Sequence, residues 1–373
     1  MKLYSIGVFL VMMLILAACA AQQVAPPTIV PMVTTIAFPT ATATAITTAT
    51  LRPSATATID LPISPAASAY LEEALDIIQN NSIYRHSIDW NALRKTAFQM
   101  AEHAQTPADT YGTIRYVLSV LGDHHSSFWT PYEVVQVEQV TANESLTPRG
   151  KLLLGKLGYI AVEGFRSGNM EEGAQYALLE QQLIRDLDAQ NPCGWIVDLR
   201  ENTVGNIWPM LAGIGPILGE GKAGAFVDSD GDQLDWSYQD GQAKQGDVVV
   251  IKVNGPPYRL KEAFPPVAVL TGVNTKSSGE FIVVSFRGRP HTRSFGLYTA
   301  GLSTDNFDFR LSDGAGIALT VGVFADRTGQ AYGDRIYPDE LVDDVRKYTY
   351  IMDAAIPQPA IDWLMSQPEC LAQ

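Results

Sequence analysis

Of 373 residues only three are cysteine and five are histidine. The cysteines stand at 19, 193 and 370, which offers no metal-ligand pair and is too sparse for a disulfide framework. The sequence also lacks a P-loop and an internal repeat, so P-loop nucleotide binding and the solenoids drop out. Positive charge is scarce as well: 26 Lys and Arg against 40 Asp and Glu leave a formal charge of −14. Nucleic acid and anionic lipid surfaces would repel such a chain, and a neutral or basic polypeptide suits it better as a partner.

What is present begins with an N-terminal apolar run. Met1-Lys2 is followed by "LYSIGVFLVMMLILAAC", ending in Leu16-Ala17-Ala18-Cys19. One positive charge, a short apolar stretch and small residues before a cysteine describe a secretory signal rather than a spanning helix. The last four residues resemble a bacterial lipobox, in which the thiol of Cys19 receives a lipid; the expectation is an extracytoplasmic protein tethered to the cell membrane. From 20 to 65 the chain is almost all Ala, Thr, Pro and Val, with too few large apolar side chains to bury, and reads as an extended spacer.

Ordered sequence starts near Tyr70. Leu71, Ala74, Leu75 and Ile78 make the stripe of an amphipathic helix, Asp89 precedes a second helix in "WNALRKTAFQMAEHA", and Thr106-Pro107-Ala108-Asp109 opens a third that Gly122 stops. Beyond Gly150 the runs "LGYIAVEGF", "GWIVDL", "DVVVIKV", "PVAVLTG" and "GIALTVGVFAD" alternate with helices at 170–189, 206–218 and 278–288. That alternation predicts an α/β layer around a largely buried sheet. The expected division is signal peptide 1–19, linker 20–65, helical subdomain 66–130 and core 131–373.

Three places in this frame carry candidate chemistry. In "TGVNTKSSGEF", Ser277 stands where an apolar helix begins, so helix N–H groups face its hydroxyl; it is either a nucleophile beside an oxyanion site or an ordinary helix cap. A serine nucleophile needs a base, and His124 and His125 lie in a turn before Phe128-Trp129, where an aromatic wall could shelter an imidazole. The third place, "DLRENTVGN" from Asp198 to Asn206, takes a buried strand into another helix start. It offers amides to an anion, or is a structural loop with Asp198 and Arg200 paired. "DSDGDQLD" from Asp228 fails the calcium-loop pattern at Gln233 and Gln239 and reads as a surface turn.

Taken in order, "LGDHHSSF", "VDLRENTVGN", "VAVLTGVNTKSSGEFIVVSFRGRP", "SFGLYTAGLST" and "GVFADRTGQAYGDRIYPDE" resemble the tail-specific (C-terminal-processing) serine peptidase family, over about residues 68 to 345. The family also includes the tricorn protease core and the interphotoreceptor retinoid-binding protein modules. The resemblance implies a crotonase-like α/β core behind an N-terminal helical subdomain. It makes Ser277, three residues before Glu280, the nucleophile. The family's lysine base would fall at Leu302, so the chain resembles the tricorn-type branch, with His125 as base and Asp334 or Asp326 orienting it directly or through a hydroxyl. Ser278 and the 203–205 loop, with Val204 and Gly205, would supply the oxyanion amides. No metal or organic cofactor is implied, and too little sequence separates His125 from the first strand to hold the PDZ domain that many relatives carry. The family's loop is richer in glycine: if the missing glycines sat at positive φ, Val204 would be strained and the site misshapen. A catalytically silent protein holding a peptide or apolar ligand in the same cleft is the rival reading. Cys193 and Cys370 can pair in an oxidising compartment and pin the tail to the core.

Overall fold

The computed structural model describes residues 61–141, 148–351 and 354–372; Cys19 and the spacer up to residue 60 lie outside them. Three helices come first, α1 (Pro65–Asn81), α2 (Trp90–Met100) and α3 (Tyr111–Leu121), followed by β1 (Ser127–Trp129) and α4 (Pro131–Thr141). Each start has its signal: Ser64 and Asp89 accept N–H groups of α1 and α2, and Pro107 lies in a 3-10 turn leading into α3. Gly122 ends α3 at φ 77, where a Cβ would be penalised. Leu71, Ala74, Leu75 and Ile78 are all buried, as their spacing predicts. The second helix ends at Met100, short of the Ala104 expected from its sequence.

The core follows as β2 (Arg149–Leu153), β3 (Leu157–Ala161), α5 (Met170–Asp188), β4 (Gly194–Asp198), α6 (Ile207–Leu218), β5 (Gly221–Asp228), β6 (Gln233–Gln239), β7 (Gln242–Gln245), β8 (Val248–Lys252), β9 (Val267–Thr271), α7 (Ser278–Phe286), β10 (Thr292–Gly296), β11 (Thr304–Arg310), β12 (Gly316–Asp326) and β13 (Glu340–Leu341). The hairpin β14 (Tyr348–Ile351) and β15 (Ala354–Pro357) and helices α8 (Gln358–Met365) and α9 (Pro368–Leu371) complete it.

Two main sheets form where the sequence reading expected one. The first has the order β13-β10-β9-β4-β3-β2 and is parallel except for β2. Its strands alternate faces with period two. Ile160, Val197 and Val269 join the core formed with α5, α6 and α7, while Tyr159, Ile196, Ala268, Leu270 and Phe295 face α8. On that second face Cys193 and Cys370 form a disulfide that fastens α9 to the chain entering β4.

The second sheet, β1-β12-β5-β6-β7-β8 with β11 also on β12, is antiparallel. The runs "DVVVIKV" and "GIALTVGVFAD" belong here, joined by strands whose apolar residues alternate with polar ones, as in "QLDWSYQ". Trp236, Phe226 and Phe324 pack from this sheet onto Phe281 of α7. The N-terminal helices cover Leu311, Ile317 and Leu319 of β11–β12. Tyr70 and Tyr111 both donate to Asp313 in the turn between those strands, which locks the helices to the sheet.

Candidate active site

The strands β4, β9 and β10 run parallel as neighbours, so the loops that leave them emerge at one edge. This register brings motifs 75 residues apart in sequence into contact. From the β9 loop, Lys276 N–H donates to Asn202 O (2.9 Å) and Thr275 Oγ1 to Leu199 O (2.9 Å). Ser278 Oγ donates to Asn202 Oδ1 (3.0 Å), and the Asn202 amide donates to Val162 O (3.0 Å). Asn202 is buried and bonded through both ends of its side chain, so it sets the distance between the two loops. The β10 loop joins them through Leu297 N–H to Thr271 O and Ala300 N–H to Thr275 O.

Ser277 sits at the centre of these loops with φ 45 and ψ −103. A conventional N-cap has extended backbone and a side chain that accepts a helix N–H. Asn206, which opens α6, does this with φ −75 and an accepted bond from Trp208 N–H. Ser277 does neither: its backbone is in a sparsely populated region, and its hydroxyl forms no cap hydrogen bond. It and Glu280 are nevertheless arranged as a capping box, the Ser277 side chain set against the Glu280 N–H and Glu280 Oε2 accepting Ser277 N–H at 2.9 Å. A half-buried serine on a strained strand-to-helix turn is the geometry of a nucleophile elbow.

Glu280 has a wider task. Its fully buried carboxylate also accepts from Thr299 Oγ1, Gly301 N–H (2.9 Å) and Leu302 N–H (2.8 Å). Burial raises its pKa, and these four donors pull the other way. One side chain thus fixes the serine turn and the loop from 299 to 302 together.

The chain then enters β11 at Thr304, and there it meets the histidine turn. His125 Nδ1 lies 2.6 Å from Thr304 Oγ1, and Asn306 donates to His125 O (2.8 Å). Asp123 accepts the N–H groups of His125 and Ser126 and the hydroxyl of Ser126, with His124 at φ 56 completing the bend. His124 is exposed and His125 buried. Burial pushes the His125 pKa down to about 4, against a smaller opposing effect of Asp123, so its imidazole is neutral at pH 7.

The two acids predicted behind the base lie elsewhere. Asp326 is buried at the end of β12, accepting Thr328 N–H and hydroxyl, Gln330 N–H and Tyr332 OH. Burial raises its pKa, but those bonds outweigh it and the net direction is down. Asp334 is exposed, with its carboxylate against Gly301. Neither hydrogen-bonds His125; Thr304 does. Thr304 closes the block "SFGLYTAGLST", but nothing local in the sequence tells it apart from any other strand threonine.

The loop from 199 to 206 is unstrained. Neither Thr203 nor Val204 has positive φ, so the strain that the sequence reading allowed for is not there. The close approach falls instead on Gly164 and Gly205: a Cβ on Gly164 would stand 1.8 Å from Val204 O, and one on Gly205 would stand 2.7 Å from Phe165 N. Asp198 and Arg200 pair by two bonds, at 2.9 and 2.6 Å, and Tyr159 OH joins Asp198. They border a cleft of about 410 Å³ whose wall includes Arg149, Lys151 and Glu201. At the Asp228 turn, Asp228 Oδ1 accepts the N–H groups of Asp230 and Asp232, and no cluster that could hold a metal ion occurs among the described residues.

Residues 156–342 match the model of peptidase family S41. The chain belongs to that family. This S41 chain is 27% identical over 311 residues to the nisin-resistance protein of Lactococcus lactis subsp. lactis, covering 82% of this chain and 89% of that protein. Its fold is similar to that of a lipoprotein from Streptococcus agalactiae (24% identity, TM-score 0.65, covering 81% of this chain and 97% of that one). It is also similar to the photosystem II D1 C-terminal processing protease (16% identity, TM-score 0.57, 78% and 96%). The mixed α/β architecture with its N-terminal helices is therefore that of an S41 peptidase.

Proposed function

We propose that this S41 chain is an extracytoplasmic serine peptidase, tethered through Cys19, which cleaves polypeptides by an acyl-enzyme route. The observation that carries the reading is the backbone of Ser277, held at φ 45 and ψ −103 with its N–H on the buried Glu280. Strain of about 1–3 kcal/mol persists only where surroundings over-determine it. Here the surroundings are Glu280, Asn202 and the loops that they tie together.

In this mechanism His125 takes the Ser277 proton, and Ser277 Oγ attacks the peptide carbonyl. The oxyanion is held by the Ser278 N–H, which as the first helical residue has no acceptor within α7, together with an amide of the 203–205 loop around Val204 and Gly205. The protonated His125 gives its proton to the leaving amine, and water activated by the same imidazole releases the acyl group. Asp326, committed to its hairpin, and Asp334 are left outside this assignment.

The strongly negative chain favours a neutral or basic polypeptide, and the relative named for nisin resistance makes nisin the first substrate to try. The test incubates the parent and Ser277→Ala with nisin and with an unfolded polypeptide, followed by mass spectrometry. Fragments from the parent alone are expected. Equal fragmentation by both would remove Ser277, and no cleavage by folded parent would favour a silent binding protein.

A further inference from the structure

A neutral imidazole serves as base only if the nitrogen facing the serine is the unprotonated one, so something must hold the proton on the other. A buried carboxylate is the familiar holder, because it accepts from Nδ1–H and then faces the imidazolium that forms. No carboxylate reaches His125 Nδ1 among the described residues. The atom at hydrogen-bond distance is the Thr304 hydroxyl, 2.6 Å away and buried with the ring.

We propose that Thr304 is the positioning residue of this site: its hydroxyl accepts from Nδ1–H of His125, fixes the tautomer with Nε2 free towards Ser277, and leaves the base without a counter-charge. The proposal rests on the peptidase reading above and says which group orients the base and with what consequence. Thr304 is well placed because it ends the 299–303 segment, which Glu280 holds through Thr299, Gly301 and Leu302 while also holding Ser277 N–H. The ring and the serine are thereby referred to one buried carboxylate. On the strand side, Thr304 is paired with Val323 of β12, and β1, which follows the histidine turn, is paired with Ala318, Ile317 and Gly316 of the same strand. Both partners of the bond are therefore fastened to β12.

The groups that face the histidine turn from its neighbours are few. Asp123 on its own turn is spent on the N–H groups of His125 and Ser126, Asn306 of β11 takes the His125 carbonyl, and Ser126 accepts from Thr320 N–H of β12. Asp123 acts on the imidazole with an effect smaller than that of burial, and Asp305, the neighbour of Thr304 on β11, is itself pushed up to about 7 by burial. The base is then neutral well into the acid range, and the acid limb of the rate profile lies below that of a His–Asp pair. Thr304→Asp would stabilise the imidazolium and carry that limb upward by about 1–3 pH units, the usual effect of an opposite charge at contact. Thr304→Val would release the tautomer and lower the rate by about 10- to 100-fold, less than the roughly 10²- to 10⁴-fold of a whole general base.

The experiment uses the full chain in detergent, selectively labelled with ¹⁵N-histidine, beside Thr304→Ser, Thr304→Val and Thr304→Asp. The imidazole spectrum reports tautomer and titration without any turnover, and the same samples are assayed for polypeptide cleavage against pH. His125 protonated on Nδ1 and uncharged at pH 5 is expected in the parent and in the serine variant, with the valine variant a mixture and the acid limb of the aspartate variant raised. A proton on Nε2 in the parent, meaning that Thr304 donates, overturns the proposal, as does an unshifted profile in folded Thr304→Asp. If Thr304→Val does not fold, the parent spectrum and the aspartate profile still decide. A parent that cleaves nothing defeats the peptidase reading alone, since the tautomer is read independently.

Discussion

Two strand-to-helix turns stand side by side in this molecule and are built in opposite ways. After β4 the chain reaches α6 through Asn206, with ordinary backbone and its own side chain closing the helix start. After β9 it reaches α7 through Ser277, with positive φ and the capping work passed to Glu280 three residues on. The first turn spends its polar residue on stability, and the second keeps its hydroxyl unspent. A helix start of the second kind is a worse helix start, and it is kept where surrounding bonds can hold it in place.

The most severe way to break the comparison is to remove what holds the second turn. Glu280→Ala would leave Ser277 N–H, Gly301 N–H, Leu302 N–H and the Thr299 hydroxyl without their acceptor in a buried site. Each unsatisfied buried donor costs about 1–3 kcal/mol, so a loss of several kcal/mol is expected, together with loss of cleavage. Chemical denaturation and the cleavage assay measure both, and a stable, active Glu280→Ala would show that the turn is held by something else. Asn206→Ala should cost about 1 kcal/mol, the usual value of a side-chain cap, and slow cleavage only modestly. Ser277→Ala should lose cleavage with little change in the denaturation midpoint, since no cap bond is removed. If Ser277→Ala were destabilised as much as Asn206→Ala, Ser277 would be a cap after all.

Much of this contrast was legible before the fold was known. The pattern of Ser277 and Glu280 marks a helix start, Gly122 marks a helix stop, and the apolar stripe of α1 falls where it should. The parallel strands β3, β4 and β9 show because both faces are buried and their runs are continuously apolar. The antiparallel sheet was half hidden: strands such as β6, with buried Trp236 and Tyr238 between half-buried or exposed neighbours, carry only short alternations that also fit loops. The partner of the histidine was hidden entirely. Thr304 lies 179 residues from His125, and their contact depends on β1 and β11 both docking on β12, which no local periodicity encodes. Asp326 misled because an acid before a glycine-containing turn and an acid behind a base look alike in sequence; its four accepted bonds settle it in the turn.

The smallest expected effect concerns the residue that departs from the family pattern. If Val204 occupied a glycine's conformation, restoring glycine there would relieve strain and raise activity. Its φ is not positive, and what the loop needs is glycine at 164 and 205, where a Cβ would collide with backbone. Val204→Gly should therefore add only unfolded-chain freedom, lowering stability by about 0.5–1 kcal/mol and leaving cleavage unchanged or slightly reduced. Measured beside Asn206→Ala, it separates the two things that a strand-to-helix loop can require of a residue, its side chain or its absence. A marked gain in cleavage by Val204→Gly would mean that the working conformation of the loop differs from this one. The assignment of the oxyanion amides to residues 203–205 would then have to change.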